Sequence, residues 1–130
     1  MQGKKPKANE KQIKMKSNNV LAEFIKELKR QAHKENAKIW KKVALELEKP
    51  ASRKRIVNLR KINRLAKEGE TIIVPGKVLG DGLLEKRLEI AAYTFSDSAI
   101  KKITESKSKA YLLKDFIKTN PKGKKTRIIA

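Results

Sequence analysis

Positive charge is gathered into three stretches of this chain, and no compact fold can bury such stretches without an anionic partner. Residues 1–16 hold six Lys and one Glu, residues 49–67 hold eight Lys and Arg and no acid, and residues 118–127 hold five Lys and Arg and no acid. They account for +18 of the formal net charge of +20, within 45 of 130 residues. The other 85 residues carry 15 basic and 13 acidic groups and are nearly neutral. Solubility is served by interspersed charge, whereas segregated like charge repels itself until something neutralises it. A nucleic acid is the partner that fits, because each Lys or Arg set on a phosphate releases condensed counterions and gives tight, salt-sensitive binding.

What remains is enough for one small core. Leu, Ile, Val and Phe number 33 of 130, above the roughly one-fifth below which charged chains tend to stay unfolded, and the length suits a single domain. With no cysteine, there is no disulfide framework, thiolate metal site or thiol nucleophile. Uninterrupted apolar runs such as Ile72-Ile73-Val74 are far short of the roughly 18 residues a membrane span needs. Met1 to Lys7 has the charge of a signal peptide's start, but no apolar stretch follows. The expectation is a soluble, cytoplasmic protein with no membrane partner.

Residues 1–16 bury too little to offset ordering entropy and are expected to form a flexible basic arm that orders on its partner. A globular domain then spans 17–117 and a basic tail 118–130. Behind a cap at Asn18 or Asn19, the positions Val20, Leu21, Phe24, Ile25, Leu28 and Ala32 predict a helix. A second helix, from about Ala37 to Glu48, carries the stripe Ile39, Trp40, Val43, Ala44 and Leu47 and stops before Pro50. The two form a hairpin joined near Glu35-Asn36. Beyond it, Ile56 to Leu59 reads as a strand, and Arg60 to Lys67 as a helix with Ile62, Leu65 and Ala66 inward and Gly69 closing it. Thr71 to Val74 reads as a strand ended by a Pro75-Gly76 turn, with a further turn at Gly80-Asp81-Gly82. Leu88 to Phe95 is the best strand in the chain. A helix capped by Ser96 follows with Ile100 and Ile103, then a strand near Ala110 to Leu112, a helix around Asp115 to Lys118, a turn at Asn120 to Gly123 and a terminal strand near Arg127 to Ile129. The fold class is α/β (α+β), with the helical hairpin in front of repeated strand, turn and helix units.

Catalytic and metal chemistry find little support. Gly69 lies seven positions before Gly76, and Val78 stands where a phosphate loop has Ser or Thr, so that nucleotide motif fails. The glycine-rich segment would instead turn the backbone or bring its amides close to phosphates. His33 has no Cys companion and reads as a surface group at a helix end. Asp81, Asp97 and Asp115 each have a turn or helix-start explanation. The six aromatics, Phe24, Trp40, Tyr93, Phe95, Tyr111 and Phe116, lie within apolar patterns and are expected in the core. The one conceivable stacking pair is Tyr93 with Phe95 on a shared strand face. No catalytic residue, metal, cofactor or small-molecule substrate is expected. Recognition is expected through phosphates and shape, as for structured RNA.

Residues Leu47 to Arg64 (LEKPASRKRIVNLRKINR) and Val74 to Gly82 (VPGKVLGDG) resemble the large-subunit ribosomal protein eighteen-e family of archaea and eukaryotes. The likeness extends through Asn36 to Trp40, Phe95 to Ala99 and Asn120 to Gly123, covering about residues 18–129, and the short ends resemble an archaeal member. The resemblance implies an irregular β-β-α superhelical core related to bacterial ribosomal protein fifteen. It also implies a structural role in the large ribosomal subunit, with large-subunit ribosomal RNA and neighbouring ribosomal proteins as partners and no homo-oligomer. It places RNA binding on Arg53, Lys54, Arg55, Asn58, Arg60, Lys61, Asn63 and Arg64, with Ser52-Arg53 departing from more Arg-rich versions. Charge adds Lys4, Lys5, Lys7, Lys11, Lys14 and Lys16 in the arm, Lys67 and Lys77, and Lys122, Lys124, Lys125 and Arg127 in the tail. Arginine forks span phosphate oxygens, whereas lysines act as mobile point charges. Composition alone leaves two other classes open: a general RNA chaperone or chromatin-like protein outside the ribosome, and a metal-dependent nuclease.

Overall fold

The computed structural model describes residues 10–50 and 55–130, and side chains within 20–50 and 56–130. The expected sites Lys4, Lys5, Lys7, Arg53 and Lys54 lie outside the described residues, while Lys11, Lys14, Lys16 and Arg55 are described by backbone alone.

Helix α1 (Glu10–Glu35) starts earlier than its polar residues suggested, so Asn18 and Asn19 are interior and cap nothing. Lys11 to Lys16 are mostly good helix formers, and a helix already propagating passes two Asn at a cost of tenths of a kcal/mol each. The helix ends in a Schellman turn. Asn36 takes a positive φ of 53°, and the Ala37 N–H donates to the Ala32 carbonyl at 2.9 Å. Helix α2 (Lys38–Leu47) runs back with Trp40, Val43, Ala44 and Leu47 buried.

The rest alternates strand and helix: β1 (Arg55–Asn58), α3 (Leu59–Leu65), β2 (Thr71–Leu79), β3 (Glu89–Phe95), α4 (Asp97–Glu105), β4 (Lys109–Leu112), α5 (Leu113–Thr119) and β5 (Thr126–Ile128). Every pairing is parallel, in the order β1-β2-β3-β4. β2 is long enough to take two partners along one edge. Thr71–Ile73 pair with Thr126–Ile128 of β5, and Gly76–Leu79 pair with Arg55–Asn58 of β1. A parallel sheet needs cover on both faces, and alternate residues divide accordingly. Ile72, Val74, Ile90 and Ala92 pack with Leu59 and Ile62 of α3 and Ala99 and Ile103 of α4. Ile73 and Ala91 pack with the α1–α2 hairpin and with Leu113, Phe116 and Ile117 of α5.

Two expectations fail for identifiable reasons, and the stacking pair that was only conceivable does not form. Pro75-Gly76 does not end β2, because the register against β3 shifts between Val74 and Lys77 and absorbs the proline as a bulge, while Gly76 stays paired with Arg55. Helix α3 stops at Leu65, which is exposed, and Gly69 lies beyond it, donating its N–H to the Arg87 carbonyl. Tyr93 and Phe95 pack against different core clusters, so they form no stacking pair. Tyr93 instead meets Phe24 of α1, ring centroids 5.9 Å apart, and its partial burial raises the phenol above its ordinary value. Val20 and Ile100, expected on apolar faces, are exposed. Ser96 does cap α4, its Oγ accepting from the Ala99 N–H at 3.1 Å.

Candidate nucleic-acid interface

The central basic segment is held by a loop that the sequence leaves looking like a mere turn. Gly80 and Gly82 lie against the first turns of α4 and α3. A Cβ at Gly80 would sit 2.8 Å from the Ala99 nitrogen, and one at Gly82 would sit 2.7 Å from the Arg60 nitrogen. The glycines therefore serve contact between protein backbones. The Asp81 carbonyl accepts the Arg60 N–H at 3.0 Å. The Asp81 carboxylate takes both arms of the Arg60 guanidinium at 3.0 and 3.1 Å. Lys102 ties the loop from the far side, its Nζ donating to the Gly80 and Gly82 carbonyls at 2.6 and 2.8 Å.

The tail reaches α3 from the opposite end of the sequence. Arg127 Nη2 donates to the Leu65 carbonyl at 2.6 Å, and Lys61 Nζ donates to the Ala130 carbonyl at 2.7 Å. Arg127 also grips Glu70, Nε to Oε2 at 2.9 Å. The Lys67 N–H hydrogen-bonded to the Glu70 carboxylate, and then the Arg127 guanidinium, hold that carboxyl below its usual 4.5 against the opposing effect of burial. The turn before β5 docks on the hairpin: the Pro121 carbonyl accepts from Trp40 Nε1 at 2.6 Å and from Gln31 Nε2 at 3.3 Å. Two acid-free segments far apart in the chain thus form one edge of the molecule.

The expected residues divide by what they already do. Lys61, Asn63 and Arg127 are engaged within the fold, Asn63 through Oδ1 accepting the Glu85 N–H at 2.8 Å. Arg60 is paired but well exposed, and such a pair contributes only about 0–1 kcal/mol, so a phosphate can recruit it. Arg64, Lys77, Lys122, Lys124 and Lys125 are exposed, with no side-chain ion pair among the described residues. Lys67 is exposed too, its backbone holding Glu70. Asn58 is half-buried at the start of α3 and makes no side-chain cap bond. Lys77 stands in register with the exposed Ile56 of β1. Sequence reasoning missed Lys38, Lys41 and Lys42 of α2. Their helical spacing, with no acid among them, was the available signal. His33 is exposed near the end of α1, and the described residues contain no cluster of three or more metal-ligating side chains.

A parallel sheet covered on both faces, with exposed Lys and Arg side chains that have no ion pair among the described residues, makes this a basic α/β domain. The chain belongs to the ribosomal protein family that unites 50S-L15 and 50S-L18e with a 60S counterpart, and the family's profile matches residues 19–109. It is 47% identical over 114 residues to the large ribosomal subunit protein eL18 of Methanospirillum hungatei, covering 88% of this chain and 94% of that protein. The protein of the same name from Methanoregula boonei is 46% identical over the same shares. That of Methanococcus maripaludis is 42% identical over 116 residues, 89% of this chain and 97% of the relative.

Proposed function

We propose that this protein is a structural, non-enzymatic constituent of the large ribosomal subunit in the cytoplasm, and that it binds and stabilises large-subunit ribosomal RNA by neutralising phosphates. The names of its relatives support the ribosomal setting. The observation that carries the RNA reading is the meeting of α3 with β5, which brings the two acid-free segments together in the fold. Arg64, Lys67, Lys77, Lys122, Lys124 and Lys125 contact phosphates directly, and Arg60 exchanges Asp81 for a phosphate. Lys61, Asn63 and Arg127 position this edge, and Asn58 lies at its margin. Arg53, Lys54 and Arg55, adjacent to it in sequence, and Lys4, Lys5, Lys7, Lys11, Lys14 and Lys16 add further positive charge toward the RNA.

Titrating the purified protein with large-subunit ribosomal RNA fragments across a salt series tests this. Neutralising about six phosphates gives a log–log slope of about −4 to −5. Replacing Arg64 and Lys67 together by Gln lowers its magnitude by about 2. A slope near zero for the unmodified chain refutes the reading. Release from subunits in a high-salt wash would point instead to a loosely bound RNA chaperone.

A further inference from the structure

Between residues 20 and 50 the α1–α2 hairpin carries eight Lys and Arg against five Glu, and these charges are not evenly matched. Glu23 pairs with Lys26, Glu27 with Arg30, Glu46 with Lys49 and Glu48 with Lys29. Those pairs use four of its five carboxylates between residues 20 and 50. Lys38, Lys41 and Lys42 stay exposed, with no side-chain ion pair among the described residues. At spacings of three and four they occupy one face of α2, opposite the buried Trp40, Val43, Ala44 and Leu47.

The surface around them has a definite shape. On one side of Lys38 a groove of about 530 Å³ separates α2 from β5, lined by Lys42, Leu45, Thr126 and Arg127 among others. On the other side a groove of about 460 Å³ lies at the hairpin elbow, lined by Lys41, His33, Asn36 and Lys29. Helix α2, with 10 residues, is a ridge about 15 Å long between two channels.

We propose that this ridge is a second docking surface, for the backbone of an A-form RNA duplex, continuous with the α3–β5 edge through Arg127 but contributing its own phosphates. The inference rests on the reading under Proposed function and extends it to residues outside the three basic segments. A duplex fits better than a single strand for two reasons. The wide, shallow minor groove of A-form RNA accepts a convex element with a phosphate strand on either side, and binding there depends on shape and phosphate contact. Single-strand binding without sequence preference relies on exposed aromatic platforms, whereas all six aromatics here belong to the core clusters or pack against them. The exposed Leu45 on the same side of α2 adds an apolar contact for a ribose edge.

The test uses the full chain and a generic RNA duplex of about 16 base pairs, the span a shape-reading module covers, with a single strand of equal length as competitor. Lys38→Gln, Lys41→Gln and Lys42→Gln are combined; all three side chains are exposed, and circular dichroism confirms folding. The triple variant is expected to lose about 2 to 3 from the magnitude of the salt slope, and the unmodified chain to prefer the duplex. The Arg64→Gln, Lys67→Gln variant should retain that preference while losing its own share of the slope. An unchanged slope in the triple variant overturns the second surface and leaves the α3–β5 edge standing. A slope near zero for the unmodified chain overturns both. Crosslinks from Lys38 to a neighbouring protein instead of RNA in the assembled subunit would assign the ridge to a protein partner and overturn the proposal.

Discussion

Gly82→Ala isolates how tightly the candidate interface is built. Gly82 has φ +98°, and an added Cβ would stand 2.6 Å from Arg60 Cβ, 2.7 Å from the Arg60 nitrogen and 2.8 Å from its Cα. Gly69 has a similar φ of +83°, but nothing lies within 4 Å of its would-be Cβ. Both substitutions therefore incur the positive-φ cost of about 1–2 kcal/mol, and only Gly82→Ala must also push α3 away. Overpacking typically costs about 1–3 kcal/mol. The displacement also weakens the hydrogen bond from the Arg60 N–H to the Asp81 carbonyl, worth about 1 kcal/mol. Gly82→Ala is expected to destabilise by about 3–6 kcal/mol, against about 1–2 for Gly69→Ala. Urea unfolding followed through the single Trp, the buried Trp40, reads both on one scale. Equal losses in the two variants would refute the claim that Gly82 exists for close backbone approach.

Trp40→Phe removes the indole donor to the Pro121 carbonyl, which keeps only the longer bond from Gln31, and is expected to cost about 0.5–1.5 kcal/mol, read by thermal unfolding. Gly123→Ala, whose Cβ would collide with Ile39, should loosen the same turn, visible as faster hydrogen exchange of the amides at position 123 and at Lys124. The Glu70 carboxyl titrates lower in the folded chain than its ordinary value, so the stability it adds is present above that value and is lost as pH falls through the lowered one. Glu70→Gln should accordingly cost up to about 1 kcal/mol near neutrality and remove that part of the acid loss. A variant whose acid profile stays parallel to the unmodified protein would contradict the assignment.

The helical hairpin was legible because its burial is periodic: Trp40, Val43, Ala44 and Leu47 announce the buried face of α2 directly. The strands were legible from β-branched runs, but their ends were not. Whether Pro75 ends a strand depends on a partner strand that can slip register, and that is a property of β3 as much as of β2. Leu65 and Ala66 are adjacent apolar residues in one pattern. Only the placement of β2 and β3 decides that Ala66 is buried and Leu65 exposed. The candidate interface was half legible for the same reason. Runs of like charge show which segments repel, but not that Arg127 and Lys61 are spent inside the fold. Nor do they reveal that Lys38, Lys41 and Lys42 have no ion pair among the described residues while Glu46 and Glu48 pair with Lys49 and Lys29.

The bond between Arg127 and Leu65 joins residues 62 positions apart, and each neighbouring pair of strands is parallel, so no hairpin assembles this edge locally. The cationic rim therefore exists only in the completed fold; an unfolded chain carries the same charge without its spatial arrangement. Any polyanion that prefers the arranged rim to the dispersed charge draws the chain toward the folded state by mass action. A nucleic acid with that preference would act as a thermodynamic cofactor of folding, with the protein's stability a function of how much of the rim it occupies.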